Sequence, residues 1–167
     1  MATKNTVLLA EDEDNDVFMM RRAFRKLNDP VFLQVVKNGQ EAIEYLAGEN
    51  QYADRTLYPL PTLILLDIKM PLKSGFDVLR WIKADGTHRH IPSVIVSSSK
   101  MQSDVELASK LGAREYHVKP MTLSEWQHLL TNTSALIPAV VVENSEILRG
   151  DAKVRRKAKQ SFSFPIS

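Results

Sequence analysis

The sequence of 167 residues contains no cysteine. Disulfide bonds, thiolate zinc sites, iron–sulfur clusters and cysteine nucleophiles are therefore excluded, and the absence is typical of a reducing compartment such as the cytoplasm, where we expect the protein to act. The sequence also lacks a signal-peptide pattern at its start and a run of eighteen apolar residues, so we expect a soluble protein without membrane insertion. The length suits one domain with a short extension.

Neither positive nor negative charge is in clear excess over most of the chain. Lys and Arg together number 22 and Asp and Glu 20, but from residue 143 onward six basic residues stand against three acidic ones. The pI of about 8.8 therefore reflects this end of the chain and gives poor support for nucleic-acid binding by the rest. We interpret residues 133–167 as a basic C-terminal extension that is partly disordered or acts as an interaction arm.

Short apolar runs alternate five times with segments in which apolar residues recur at steps of three and four. The apolar runs lie at residues 7–10, 31–36, 63–66 and 94–96, and a short mixed segment at 115–118 takes the place of the fifth. The helical segments lie at 17–27, 40–46, 76–83, 103–111 and 122–130, and a long loop covers 48–61. The run at 63–66 is apolar on both faces, as in a parallel sheet covered by helices. The pattern predicts an α/β fold, a doubly wound (βα)5 sandwich with a parallel five-stranded sheet of the flavodoxin-like order 2-1-3-4-5.

Polar residues stand where four of these strands end. Glu11 and Asp12 follow the first strand, Asp67 the third, Ser97 the fourth and Lys119 the fifth. In a doubly wound sheet ligands bind at the carboxyl ends of the strands, and the order 2-1-3-4-5 puts strands one and three side by side with four and five next to them. We therefore expect three carboxylates, a hydroxyl and an ammonium group in one small crevice.

This set of side chains predicts phosphoryl-transfer chemistry. Clustered carboxylates repel one another without a cation between them, and oxygen ligands without nearby His or Cys favour a hard divalent cation such as Mg²⁺. A bound Mg²⁺ leaves room for a phosphoryl oxygen, and Lys119 and Ser97 can neutralise and hydrogen-bond the remaining oxygens. Asp67 is then the candidate nucleophile, because an aspartate can carry a phosphoryl group as an acyl phosphate.

Two further acids close to this set have a simpler interpretation. Asp14 and Asp16 stand at the start of the first helical segment, where negative charge complements the helix macrodipole and where Asp14 or Asn15 would serve as the N-cap. We interpret both as helix charges only.

The motifs that carry the site residues resemble the receiver domain of bacterial two-component response regulators. They are Val7-Leu-Leu-Ala-Glu-Asp12, Leu63-Ile-Leu-Leu-Asp67-Ile-Lys-Met-Pro71 with Gly75, Val94-Ile-Val-Ser97, and Tyr116-His-Val-Lys119-Pro120. The resemblance covers residues 5–132, which we take as the receiver domain. The acidic start, the insertion before Leu63 and the absence of an output domain are most similar to the single-domain regulators associated with phytochromes.

The resemblance implies a role for each of these residues. Asp67 would accept the phosphoryl group from a sensor histidine kinase, for instance one of the phytochrome type, or from a phosphotransfer protein. Mg²⁺ would be held by Asp12, Asp67 and the backbone carbonyl of Lys69, while Glu11 would act through a water molecule. The side chain of Lys69 would lie on the route of water to the acyl phosphate.

The resemblance also implies a switch and an output. Lys119 would pair with the phosphoryl group, Ser97 would hydrogen-bond it on activation, and Tyr116 would rotate inward at the same time. The bond before Pro120 would be cis. Output would be protein–protein interaction, with a homodimer as one option and without DNA binding, since the residues after 132 lack two helical periods for a helix-turn-helix.

Two other functions fit part of the sequence. A Mg²⁺-dependent phosphohydrolase with an aspartyl intermediate, of the haloacid dehalogenase type, would need a second Asp two residues after the nucleophile, where Lys69 stands instead. An unphosphorylated pseudo-receiver scaffold would not need the complete acidic set and Lys119. We therefore favour a phospho-acceptor that assists its own phosphorylation and dephosphorylation over an enzyme acting on other substrates.

Overall fold

The computed structural model describes residues 5–27 and 31–137. Five parallel strands form one sheet in the order β2-β1-β3-β4-β5, so the predicted fold class and strand order are confirmed. The strands are β1 (Asn5–Ala10), β2 (Val31–Val36), β3 (Leu63–Leu66), β4 (Ser93–Ser97) and β5 (Glu115–Val118). The helices are α1 (Asp14–Phe24), α2 (Gly39–Ala47), α3 (Gly75–Asp85), α4 (Gln102–Lys110) and α5 (Leu123–Thr133).

The sheet is covered on both faces because alternate strand residues point to opposite sides. Leu8 and Leu66 belong to a core that α2, α3 and α4 close. Leu9 and Leu65 belong to a second core that α1 and α5 close. All four of these side chains are buried, which explains why the central strands are continuously apolar in sequence.

The predicted loop at residues 48–61 is closely attached to α2. It contains a short 3-10 helix (Asn50–Tyr52), and its Arg55 guanidinium donates to the carbonyl oxygens of Tyr45 and Leu46 at 2.7 Å each. Because the last carbonyls of a helix have no partner within the helix, Arg55 caps the C-terminus of α2. The rings of Tyr45, Tyr52 and Tyr58 pack together, with their ring centroids at most 6.0 Å apart.

The described chain continues slightly beyond residue 132. A 3-10 helix (Ser134–Leu136) follows α5, and Leu136 and Ile137 pack against the core that α1 and α5 close. The remainder of the expected extension, residues 138–167, lies outside the described residues. Within the described ranges, none of the helices combines the length and the apolar character that a membrane crossing demands.

Candidate functional site

The pairing of β1 with β3 brings three acidic residues together at the carboxyl edge of the sheet. Ala10 pairs with Leu66, and the Asp67 N–H donates to the Ala10 carbonyl at 3.0 Å. Glu11, Asp12 and Asp67 each offer a carboxylate oxygen, and these oxygens lie within 4.8 Å of one another. Glu11 and Asp67 are buried and Asp12 is partly exposed, so this cluster opens to solvent on the side of Asp12.

Lys119 extends from the end of β5 into this cluster. Its N–H donates to the Ser97 carbonyl at 2.8 Å, which ties the end of β5 to the end of β4. Its Nζ lies 2.8 Å from Glu11 Oε2 and 3.1 Å from Asp67 Oδ2. Burial disfavours the charged form of Lys119, but the hydrogen bond to Asp16 and the adjacent carboxylates of Glu11 and Asp67 outweigh it and raise the pKa of Lys119. The site therefore contains a permanent ammonium group next to the Asp67 carboxylate.

Glu11 is the most confined member of the cluster, with no exposed surface. Its Oε1 accepts from the Glu13 N–H at 3.0 Å. Its Oε2 is close to Lys119 Nζ but out of line for a hydrogen bond, and no other group within residues 5–27 and 31–137 donates to it. Desolvation by burial raises the pKa of Glu11 to about 7, even though Lys119 and the Glu13 N–H act in the opposite direction. A buried carboxylate in this situation is stabilised by a cation.

The main chain after Asp67 is fixed by a close approach at the start of α3. The Ile68 N–H donates to Asp67 Oδ1 at 2.7 Å, and the Gly75 N–H donates to the Ile68 carbonyl at 3.1 Å. A Cβ atom at position 75 would lie 2.3 Å from the Asp67 carbonyl oxygen, a distance that no real Cβ contact reaches. Glycine is therefore required at position 75 for the observed path of the Asp67 main chain.

Ser97 and Tyr116 are linked through the loop that follows β4. Ser97 is fully buried, and its Oγ accepts from the Ser99 N–H at 3.2 Å. The Tyr116 hydroxyl donates to the Ser99 carbonyl at 2.9 Å, and the Ser99 hydroxyl donates to Asp104 at the start of α4. The expected switch residues are thus connected to α4 through Ser99.

Asp16 was interpreted from the sequence as a helix charge only, and that interpretation is incomplete. Its Oδ2 lies 2.7 Å from Lys119 Nζ, the shortest of the three carboxylate contacts of this ammonium group. Asp14 does point away, and it pairs with Lys37 at 2.5 Å. The available signal was position, since Asp16 lies in the first turn of α1, which directly follows the acidic end of β1.

Three smaller expectations have different outcomes. The N-cap of α1 is Glu13, so the expected cap at Asp14 or Asn15 is wrong. The expected cis bond before Pro120 is also wrong, since no peptide bond among the described residues is cis. The side chain of Lys69 is exposed, and the role of its backbone carbonyl stays a prediction.

Comparisons with known proteins identify the family to which these site residues belong. The sequence model of the response regulator receiver domain matches residues 7–131. Over 113 residues the chain is 34% identical to the polar-differentiation response regulator DivK of Brucella anthropi, which covers 66% of this chain and 82% of that protein. For DivK of Brucella ovis the identity is 32% over 123 residues, with 72% and 88% covered.

Two solved structures are similar as well. The phosphorylated cyanobacterial phytochrome response regulator RcpA has a TM-score of 0.74 at 30% identity, over 81% of this chain and 94% of that chain. The response regulator RPA3017, from red light signaling of R. palustris, has a TM-score of 0.73 at 31% identity, over 78% and 91%.

Proposed function

This chain belongs to the response regulator receiver domain family, which has the phospho-acceptor role in two-component systems, and we propose that Asp67 is the side chain that accepts the phosphoryl group. One observation carries the proposal. Asp67 lies in the oxygen cluster with Glu11 and Asp12, and its Oδ2 is 3.1 Å from Lys119 Nζ. Glu11 shares both features but lies deeper, with 1% of its side chain exposed compared with 6% for Asp67. A nucleophile for an anionic group needs positive charge on both sides, and Asp67 stands where a metal ion and an ammonium group would provide it.

The transfer step needs little from the protein beyond position and charge. An Asp67 carboxylate oxygen forms the bond to phosphorus while the bond from phosphorus to the donor's imidazole nitrogen breaks, and the electron pair leaves with the imidazole. The carboxylate attacks in its ionised form, so no proton is removed from Asp67. Lys119 donates to phosphoryl oxygens, and Ser97 donates to one of them once the group is in place.

Mg²⁺ fits the oxygen cluster. Glu11, Asp12 and Asp67 supply only hard oxygen donors, and the buried Glu11 Oε2 accepts no aligned hydrogen bond. Asp12 and Asp67, with the Lys69 carbonyl, are the candidate direct ligands, and Glu11 would bind through water. When bound, the ion neutralises the carboxylates and the oxygens of the transferring group.

The partner that supplies the phosphoryl group is a histidine kinase or a phosphotransfer protein, as for response regulators in general. We further propose a phytochrome-type kinase. The support is the similarity to RcpA, a phytochrome response regulator, and to RPA3017 in red light signaling. Output by protein–protein interaction from a cytoplasmic protein that signals without DNA binding belongs to the same proposal, as does a homodimer.

Phosphorylation by a small donor tests the acceptor residue. Incubation with Mg²⁺ and acetyl phosphate should add one phosphoryl group to the wild-type protein, measured by intact mass, and none to Asp67→Asn. Chelation of Mg²⁺ by EDTA should prevent the gain, because uncompensated carboxylates repel the anionic donor.

Asp54→Asn is the matched control, since Asp54 is an exposed aspartate in the loop before β3, and it should gain the group as the wild type does. A wild-type protein that stays unmodified, or an Asp67→Asn protein that still gains mass, would contradict the proposal.

A further inference from the structure

Lys119 is shared between three carboxylates. Its ammonium group has three N–H donors, and Glu11, Asp16 and Asp67 each place an oxygen within 3.1 Å of Nζ. The contact to Asp16 is the shortest at 2.7 Å, and the contact to Asp67 is the longest at 3.1 Å. In the protein without a phosphoryl group, the ammonium group donates to both Asp16 and Asp67, so Asp16 competes with the acceptor for the donors of Lys119.

Asp16 differs from the other two partners of Lys119. It does not belong to the oxygen cluster that Glu11, Asp12 and Asp67 form, so it reaches the site through Lys119 and not through the metal ligands. The side chain of Asp16 is 27% exposed, compared with 1% for Glu11 and 6% for Asp67. Because its carboxylate borders on water, it can be rehydrated when Lys119 leaves, which a buried carboxylate cannot.

The position of Asp16 is fixed by its helix. Val17 and Met20 on the same helix are buried in the core that α1 and α5 close. Asp16 thus stands on a rigid element next to Lys119, although the two residues lie 103 positions apart in the chain.

We propose that Asp16 is a positioning residue that occupies one donor of Lys119 in the unphosphorylated protein and thereby sets the rate at which Asp67 accepts a phosphoryl group. This inference rests on the proposed function of Asp67. In the transfer from acetyl phosphate, an Asp67 oxygen forms the bond to phosphorus, the bond from phosphorus to the acetyl oxygen breaks, and acetate leaves with the electron pair. Lys119 must turn a donor toward the phosphoryl oxygens in this step, and the contact to Asp16 opposes that movement.

Phosphorylation rates of variants at this position test the proposal. At a fixed, low concentration of acetyl phosphate with saturating Mg²⁺, Asp16→Asn should be phosphorylated faster than the wild type by at least about threefold, the scale of one partly exposed ion pair. Asp16→Glu keeps the carboxylate and should restore the wild-type rate. Asp16→Ser serves as a second neutral variant, and thermal unfolding shows which variant is folded.

Asp14→Asn is the matched control for charge. Asp14 lies in the same first turn of α1 and pairs with Lys37 instead of Lys119. Asp14→Asn removes the same unit of charge from the same helix end without touching the ammonium group, so its rate should equal that of the wild type. Combination with Lys119→Met tests the route: in that background Asp16→Asn should no longer change the rate, because the residue that it restrains is absent.

The possible outcomes separate the inference from the proposed function. A wild-type protein that accepts no phosphoryl group overturns both. A phosphorylated wild type with an unchanged rate in Asp16→Asn and Asp16→Ser overturns the inference alone. An equal acceleration in Asp14→Asn, or an acceleration that persists in the Lys119→Met background, assigns the effect to general charge and also overturns it.

Discussion

Asp67 is surrounded by more negative than positive charge. Glu11 and Asp12 share the oxygen cluster with it, and Lys119 is the ammonium group that contacts it. Like charges at such short distances cost free energy in the folded state, and the cost is larger where the groups are shielded from water. The residues that suit the site for a divalent cation therefore destabilise the protein when no cation is bound.

Removal of the Asp67 charge should stabilise the metal-free protein. Asp67→Asn is nearly isosteric and removes one of the mutually repelling carboxylates. We expect the free energy of unfolding in EDTA to rise by about 1 kcal/mol, or about 4 °C in the unfolding midpoint. Mg²⁺ should raise the midpoint of the wild type and have little effect on the variant, because a ligand stabilises the state that it binds. Thermal unfolding with and without Mg²⁺ measures both effects.

Glu106→Gln is the control for this experiment. Glu106 is an exposed acid on α4, and its substitution should leave both the midpoint in EDTA and the Mg²⁺ response unchanged. A lower midpoint for Asp67→Asn in EDTA, or a full Mg²⁺ response in this variant, would show that repulsion at Asp67 is not what limits stability.

The positions of the site residues could be predicted from the strand ends. Which side chains contact Lys119 could not be predicted. Glu11 and Asp67 each follow an apolar run directly, and Lys119 follows the short strand segment at 115–118. A parallel sheet brings such ends to one edge. Asp16 does not follow a strand, and its contact with Lys119 depends on how α1 packs against the sheet. A sequence pattern gives the elements and their order, while the direction of one side chain on a helix depends on tertiary packing.

At the scale of elements, α3 begins at a capping box. Ser74 is the N-cap, and its hydroxyl accepts from the Asp77 N–H at 3.2 Å. The Asp77 carboxylate in turn accepts from the Ser74 N–H at 2.9 Å. The Ser74 N–H and the Ser74 hydroxyl both donate to the Asp77 carboxylate, and they lower the pKa of Asp77 below its ordinary value of 3.8. The box matters for the site because the next residue, Gly75, contacts the Asp67 main chain.

The lowered pKa of Asp77 predicts a pH-dependent contribution to stability. Because the folded state favours the ionised form, this contribution is fully present above the unfolded value of about 3.8 and is lost as the pH falls through the folded pKa. Asp77→Asn should therefore destabilise the protein at pH 7 by about 0.5 to 1 kcal/mol, the range of an exposed cap. The difference from the wild type should shrink below about pH 4. Urea unfolding at pH 7, 5 and 3 measures it, and a difference that is constant across the range would contradict the assignment.

The bounds of the strands follow from sequence better than those of the helices. Three strands match their predicted ranges, at residues 31–36, 63–66 and 115–118, because each segment ends at a polar residue. The first helix was predicted at 17–27, but α1 spans Asp14–Phe24. Its first turn begins with Asp14, Asn15 and Asp16, so it carries none of the apolar periodicity that marks a buried helix face. α5 begins at a capping box formed by Thr122 and Glu125.

At the scale of the whole molecule, the core that α1 and α5 close continues beyond the end of the last helix. Thr133 is fully buried, and Leu136 and Ile137 pack against this core. The predicted domain boundary at residue 132 would cut through this contact. The boundary could not be placed from the sequence because the five residues at 133–137 mix polar and apolar types without a period.

Two shortened chains should therefore differ in stability. A chain that ends at Ile137 keeps the whole described core, and we expect its thermal midpoint to lie within about 2 °C of the full chain. A chain that ends at Asn132 loses the partly buried Leu136 and Ile137 and should be less stable by about 1 to 3 kcal/mol, or about 4 to 8 °C. Circular dichroism during heating measures both midpoints. Equal midpoints for the two chains would place the boundary at 132, and a large loss already at Ile137 would mean that residues 138–167 contribute to the stability of the receiver domain.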